Sequence, residues 1–274
     1  MTRTRLNGLQ ASCRELAVCA LNASRSQWKE DLGLLPTLLA VALMRGSLGT
    51  FVELGALDGV LYSNTFMLET CFGWTGLLIE GSPVNFAALR RNRRKAMLRH
   101  SAICDEAQGN VSMTVASRVA SGSGFEVSAL TSRLGRKAFS HLRKHGSNTV
   151  NVPCRPLPDL MAEAASVLGP EIDFLSLDVE GAEDLVLETG RPASRFKVVV
   201  IELDGRNPAK DERALMLLRE ANLTLAKHLR VAKSQVWVAR GVVEHPVKGL
   251  RFPNALVPSA RQLEQALHQA EVCH

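Results

Sequence analysis

The stretch FVELGALDGVLYSNTFMLETCFGWTGLLIE, residues 51–80, has the pattern of a β-α-β unit. A short apolar run leads into the turn Gly55-Ala-Leu-Asp-Gly59. A helix-like segment follows, with Ser63 as a candidate N-cap and Gly73 as a stop. A second apolar run then ends in Glu80. This order of strand, glycine turn, helix, strand and acid predicts a nucleoside site.

The turn and the closing acid suit different parts of a nucleoside. Glycines 55 and 59 let the backbone approach a ligand, and the N–H groups that begin the following helix attract a carboxylate or phosphate. Glu80 can accept hydrogen bonds from both hydroxyls of a ribose. The dinucleotide pattern G-x-G-x-x-G fails, because Leu57 and Val60 stand where it requires glycine.

Two acids in the turn region distinguish between the nucleosides. Glu53 and Asp58 would repel a pyrophosphate, whereas they suit a ligand that carries an ammonium and a sulfonium. S-adenosylmethionine (SAM) is such a ligand and NAD is not. The sequence therefore predicts SAM as the cofactor.

Composition indicates an ordinary globular protein. A chain of 274 residues with 46% hydrophobic and 22% charged residues fits one α/β domain with appended pieces. The six cysteines are scattered without a C-x-x-C pair, which favours reduced thiols over a disulfide framework and argues against zinc. We expect a cytoplasmic protein. The apolar run 32–44 is too short to span a bilayer and has helical spacing.

The segments around residues 90–155 are harder to interpret. The basic run 90–95 is either a solvated helix face, which we favour, or a patch for an anionic partner such as RNA. A third strand is predicted over 97–104. Its end would border an adenine ring, which makes Ala102, Ile103 and Asp105 candidate cofactor neighbours. Residues 106–155 break the β-α rhythm, and an insertion beside the glycine turn is a natural place for substrate recognition.

A second motif, IDFLSLDVEGAE, occupies residues 172–183. Asp178 follows a buried-strand pattern, and ligands of open α/β sheets bind at the carboxyl ends of strands. Glu180 and Glu183 come directly after it, and they either meet a ligand or cap the next helix. The following predicted strand, 197–203, also ends at two acids, Glu202 and Asp204.

Together these motifs resemble the FkbM family of SAM-dependent methyltransferases. The resemblance covers roughly residues 27–240 and lies in five elements found in order. They are Glu53-Leu-Gly55-Ala-Leu-Asp58-Gly59, Ser63-Asn64-Thr65, Gly73-Trp74-Thr-Gly76, Ile79-Glu80, and Ile172-Asp173 through Asp178-Val179-Glu180-Gly181-Ala182-Glu183. In one departure, Ser176 stands where many members carry a lysine.

The resemblance implies a class I methyltransferase (Rossmann-like) fold: a three-layer sandwich whose mostly parallel seven-stranded sheet has an antiparallel closing strand. We predict an N-terminal extension over 1–26, more consistent with a flanking helix than with a transit peptide. The FkbM-like domain covers 27–240 with an insertion at about 106–155, and the tail covers 241–274. By resemblance, the methionine side of SAM would meet Glu53, Gly55, Asp58 and Gly59, its carboxylate Ser63 and Asn64, and its ribose Glu80.

The reaction implied is methyl transfer to a hydroxyl of a sugar or small natural product. A hydroxyl needs a base, and we assign Asp178 as base with Glu180 as orienter or second base. A divalent cation held by Asp178, Glu180, Glu202 and Asp204 is a second hypothesis, which we do not expect to hold. The partner is then a small-molecule or glycan acceptor, and the oligomeric state stays open.

Two other classes of function remain. A nucleic-acid N-methyltransferase would explain the arginines, but such enzymes commonly carry an Asn/Asp-Pro-Pro-aromatic turn where this chain has Asp178-Val-Glu-Gly. Nucleic acid is therefore not the expected partner. A non-catalytic SAM-binding assembly subunit would bind the donor without turnover.

Overall fold

The fold is described from a computed structural model of the chain. It describes residues 11–93, 95–105, 109–120, 123–134, 147–190, 195–203, 205, 207–227, 229, 231–242, 258–269 and 272–273. Of the sequence-predicted site residues, Asp204 lies outside this set. So do residues 135–146 of the predicted insertion.

A seven-stranded sheet forms the centre of the molecule, in the order β10-β11-β9-β8-β1-β2-β3. β11 runs in the opposite direction to the other six strands. This confirms the mostly parallel sheet with an antiparallel closing strand. Its strands are β1 (Thr50–Leu54), β2 (Thr75–Glu80), β3 (Met97–His100), β8 (Ile172–Leu177), β9 (Phe196–Glu202), β10 (Leu223–Leu225) and β11 (Ser234–Ala239).

Both faces of this sheet are covered, because its central strands alternate between two hydrophobic cores. Phe51 of β1 packs into one core, whereas Val52 and Leu54 pack into the other. No helix in the described ranges is both long and apolar enough to cross a membrane. The helices are α1 (Cys13–Ala23), α2 (Glu30–Arg45), α3 (Phe66–Phe72), α4 (Pro83–Asn92), α5 (Leu157–Glu163), α6 (Ala165–Leu168), α7 (Glu183–Thr189), α8 (Pro208–Glu220) and α9 (Ala260–Gln269).

A second, four-stranded sheet occupies most of the predicted insertion. Its order is β4-β7-β5-β6, with β4 (Ala102–Ile103), β5 (Gly109–Ala120), β6 (Ser123–Leu130) and β7 (Asn148–Arg155). The single strand predicted over 97–104 is therefore wrong. The chain leaves the large sheet at Ser101, and Ala102 pairs with Cys154 of β7 instead. Both parts have strand-like sequences, so the pattern did not reveal the change of sheet.

The two ends of the described chain pack together on one face of the large sheet. Leu16 and Ala20 of α1 share a core with Leu263 and Leu267 of α9, so the predicted N-terminal extension contains a packed helix.

All six cysteines are paired in disulfides, which contradicts the expectation of reduced thiols. Cys13 pairs with Cys273, Cys19 with Cys71, and Cys104 with Cys154. Their Cα atoms are 5.2 to 5.8 Å apart, as disulfide geometry requires. The partners are at least 50 residues apart in sequence, so spacing alone could not show that they meet.

Candidate functional site

A cavity of about 600 Å³ opens at the carboxyl ends of β1, β2, β8 and β9. The parallel strands bring their ends to one edge of the sheet, where a doubly wound fold binds ligands. Ten of the sequence-predicted site residues line it: Glu53, Gly55, Ser63, Asn64, Glu80, Ala102, Ile103, Asp178, Glu180 and Glu202. Three other predicted cofactor residues, Asp58, Gly59 and Asp105, are not among the lining residues.

Those three residues have other surroundings. The Asp58 carboxylate accepts hydrogen bonds from the N–H groups of Val60 and Leu61, which folds the turn back on itself. A Cβ on Gly59 would lie 2.4 Å from Leu89, so this glycine allows close packing against α4. Asp105 is exposed.

Glu53 holds the loop between the glycine turn and α3. Its carboxylate accepts hydrogen bonds from the Ser63 and Thr65 hydroxyls at 2.9 and 2.6 Å and from the Asn64 N–H at 2.8 Å. Burial raises the pKa of Glu53, although the nearby Arg93 guanidinium opposes that shift. Glu53 therefore positions two residues predicted to meet the cofactor.

The buried Arg93 contacts the same loop, and the sequence did not identify it as a residue of the site. It is 1% exposed, forms an ion pair of 3.0 Å with Glu69, and donates hydrogen bonds to the Gly59 carbonyl and the Ser63 hydroxyl. In the sequence Arg93 is one member of a basic run, and nothing local distinguishes it from its solvated neighbours.

The backbone conformation and packing at position 55 require glycine whether or not a ligand binds. Its φ is +76°, and a Cβ at this position would lie 1.8 Å from the backbone oxygen of Asp178. This close approach brings the glycine turn after β1 against the acidic end of β8.

Substituting Gly55 by alanine should therefore lower the free energy of unfolding by about 1–3 kcal/mol, through strain and the collision with Asp178. Chemical denaturation measures the change. Gly33→Ala is the matched control, because Gly33 lies within α2 with nothing within 4 Å of the new Cβ and should stabilise the protein by about 0.5–1 kcal/mol. Equal stability of the two variants would contradict the close packing at Gly55.

Glu80 closes the other side of the turn. The N–H of Leu57 donates to one carboxylate oxygen at 2.9 Å, and the N–H of Ser82 donates to the other at 2.7 Å. Burial raises the pKa of Glu80 to about 7. The Asn85 side chain and the Gly81 N–H also donate hydrogen bonds to this carboxyl group, which lines the cavity.

Asn64 presents a polar atom without a partner. Its amide nitrogen donates to the Ser176 hydroxyl at 2.9 Å, but its buried carbonyl oxygen accepts no hydrogen bond from the protein. An unpaired acceptor in a ligand cavity suits an N–H donor such as the α-ammonium of an amino acid. Ser176 thus orients Asn64.

A pair of carboxyl groups lies at the ends of β8 and β9. Leu177 is in register with Ile201, so the next residues, Asp178 and Glu202, come side by side at the ends of neighbouring strands. The loss of hydration next to the surrounding protein and the negative charges of Glu202 and Glu180 raise the pKa of Asp178 well above its ordinary value. Asp178 is accessible to water inside the cavity, so we attribute this rise in pKa chiefly to the negative charges of the neighbouring acids.

The other acids of the DVEGAE motif have separate positions. Glu183 accepts hydrogen bonds from the N–H groups of Val179 and Gly181, so it stabilises the turn into α7. Glu180 lines the cavity with a left-handed φ of +53°, a conformation that is costly outside glycine and often occurs at functional sites.

The residue set described here contains no cluster of three or more Asp, Glu, His or Cys side chains arranged to bind a metal ion. Of the four candidate cation ligands, Asp178, Glu180 and Glu202 line the cavity.

Comparison with known proteins agrees with the sequence motifs. The profile of the family described as "Methyltransferase FkbM domain" matches residues 53–227. No curated protein sequence matches the chain. Among solved structures, the methyltransferase FkbM from Methylobacillus flagellatus KT is 13% identical, with a TM-score of 0.41. That alignment covers 82% of this chain and 58% of the other, so this chain spans little more than half of that protein's length.

Two further structures are similar in the same range. The O-methyltransferase from Bacillus cereus in complex with SAH is 11% identical, with a TM-score of 0.39 and coverage of 85% of this chain and 93% of the other. Aeropyrum pernix fibrillarin with natively bound S-adenosyl-L-methionine is 13% identical, with a TM-score of 0.37 and coverage of 80% and 75%. Because the family profile matches more than half of its length, this chain belongs to the FkbM methyltransferase family.

Proposed function

We propose that the chain is a SAM-dependent O-methyltransferase that acts on a hydroxyl of a sugar or small natural product. The observation that carries this proposal is the continuity of the cavity. The glycine turn and Glu80 line it at one end, the Asp178–Glu202 pair lines it beyond, and Gly55 touches the backbone of Asp178 where the two parts meet.

The cavity residues fit SAM as the donor. The unpaired carbonyl oxygen of Asn64 suits its ammonium, and the Glu80 carboxylate, which lines the cavity, suits its ribose hydroxyls. Ala102 and Ile103 offer an apolar edge for adenine. The proposed donor site does not include Asp58, Gly59 and Asp105, because they do not line the cavity. When bound, SAM supplies an electrophilic methyl group on a positively charged sulfur.

Asp178 is the proposed base. In its ionised form it takes the proton of the acceptor hydroxyl, and the oxygen then becomes a competent nucleophile. Glu202 keeps the pKa of Asp178 high, which makes the ionised Asp178 a stronger base. Glu180 faces the same space and orients the acceptor.

Incubation with methyl-labelled SAM and separated pools of neutral glycans, small alcohols and RNA tests this function. Label in a hydroxyl-bearing acceptor supports it. Label in RNA alone, or calorimetric SAM binding without transfer to any pool, favours one of the two alternative functions instead.

The pH dependence of SAM binding tests the part of Glu80 directly. Hydrogen bonds from a ribose favour the ionised carboxylate, so binding to a group whose pKa is about 7 releases a proton. Affinity should fall below about pH 7, approaching tenfold per pH unit. In the free protein the raised pKa makes stability decrease as pH rises from 4.5 to about 7.

Calorimetry in buffers of different ionisation enthalpy measures that proton release in the unmodified protein. Glu80→Gln should bind weakly and lose the pH dependence, whereas Glu212→Gln, an exposed position on α8, should behave as wild type. Binding without proton release near neutral pH would contradict the contact between Glu80 and the ribose.

We also propose that the protein works in an oxidising compartment rather than in the cytoplasm. Six cysteines that all find partners are typical of chains that fold where disulfides persist. Acceptors in such a compartment include the glycans of secreted and surface molecules.

A further inference from the structure

An exposed tryptophan lies beside the mouth of the cavity. Trp28 is 49% exposed, whereas Trp74 and Trp237 are 1% and 3% exposed. Its sequence neighbours Gln27 and Glu30 line the cavity. An exposed indole beside a polar cavity offers a large flat surface on which a ligand can stack.

The loop that carries Trp28 is firmly anchored. Asp31, which is 1% exposed, accepts hydrogen bonds from the Ser24 and Ser26 hydroxyls at 2.8 and 2.7 Å and from the N–H of Arg25 at 3.0 Å. The backbone N–H of Trp28 donates a hydrogen bond to the Glu30 carboxylate at 2.8 Å. The indole is therefore attached to a fixed rim, as a binding platform should be.

A lysine of the cavity lining contacts the indole. The Lys233 ammonium lies 5.6 Å from the ring centroid, and both Lys233 and the adjacent Ser234 line the cavity. Ser234 is also the register partner of Glu202, so this rim leads directly to the Asp178–Glu202 pair.

We propose that Trp28, Gln27, Lys233 and Ser234 form an acceptor subsite for a neutral sugar ring. The apolar face of a pyranose, made of its C–H groups, would stack on the indole while its hydroxyls bond to the three polar side chains. Neutral sugars are favoured over acidic ones, because Glu30, Glu180 and Glu202 line the cavity nearby. This inference rests on the proposed function, whose acceptor class it narrows.

Tryptophan fluorescence tests the subsite without turnover, because Trp28 is the one tryptophan of the three that solvent reaches freely. The probes are neutral trisaccharides of glucose, galactose, mannose and N-acetylglucosamine, with uronic-acid trisaccharides as the charged comparison. We expect at least one neutral probe to shift the emission to the blue and protect it from acrylamide in a saturable way. Silence with every neutral probe, or a response only to the acidic ones, overturns the proposal.

Three variants separate stacking from general damage. Trp28→Leu should weaken binding of the responding sugar by about tenfold, measured by calorimetry, whereas Trp28→Phe should retain most of it. Met44→Ala, which alters another exposed apolar side chain, should change nothing. SAM affinity should be the same in all three. Unchanged sugar affinity in Trp28→Leu overturns the subsite even if SAM transfer proceeds, and sugar binding without SAM binding overturns only the methyltransferase function.

Discussion

Replacing Asp178 by asparagine is expected to lower kcat for methyl transfer by a factor of about 10² to 10⁴, because the acceptor hydroxyl loses its base. SAM affinity should change little, since the donor contacts proposed for Asn64 and Glu80 do not involve the Asp178 carboxylate. Single-turnover assays with labelled SAM measure the loss, and calorimetry confirms that the variant still binds the donor. Glu212→Gln is the control for removal of an acid outside the cavity.

Glu202→Gln tests whether the two carboxyl groups act together. The negative charge of Glu202 helps to raise the pKa of Asp178, so its removal should lower that pKa. The rise of kcat with pH should then move toward acid, while activity at high pH persists. Loss of activity at every pH in Glu202→Gln, with retention in Asp178→Asn, would assign the base to Glu202 and contradict our assignment.

Loss of the disulfide between Cys19 and Cys71 is expected to lower the free energy of unfolding by about 4 kcal/mol, from the entropy of the loop that it closes. Denaturation of the double variant Cys19→Ser with Cys71→Ser measures this change. The single variant Cys19→Ser also removes the crosslink and should lose a similar amount, which would show that the loss comes from the crosslink and not from the second substitution.

The same experiment bears on the compartment. Protein from an oxidising host should resist alkylation until it is denatured and reduced, because none of the cysteines is free. Wild-type protein whose thiols are alkylated without reduction, and whose stability does not respond to a reducing agent, would contradict both the disulfide framework and the oxidising compartment.

Local patterns were sufficient to predict several of the residues that line the cavity. The glycine turn, Ser63, Asn64 and Glu80 lie within one β-α-β unit, so their spacing in sequence fixes their spacing at the sheet edge. The mostly parallel seven-stranded sheet was predicted from the resemblance to the FkbM family rather than from any single stretch of sequence.

Long-range contacts account for what the sequence did not reveal. Arg93 meets Glu69 and Ser63 across at least 24 residues, and Trp28 meets Lys233 from the opposite end of the chain. Asp58 shows a different difficulty. An acid in a glycine turn suits a cation in a ligand, but its short carboxylate is equally suited to accept hydrogen bonds from its own backbone, and here it does so.

The disulfide between Cys13 and Cys273 turns almost the whole polypeptide into a closed covalent ring. A mechanical load applied at the two ends would pass across this bond between the flanks of α1 and α9. The parallel strands would carry no tension until the bond was reduced. A translocase or protease that pulls on the chain from outside this ring would therefore meet the crosslink before it reached the seven-stranded sheet.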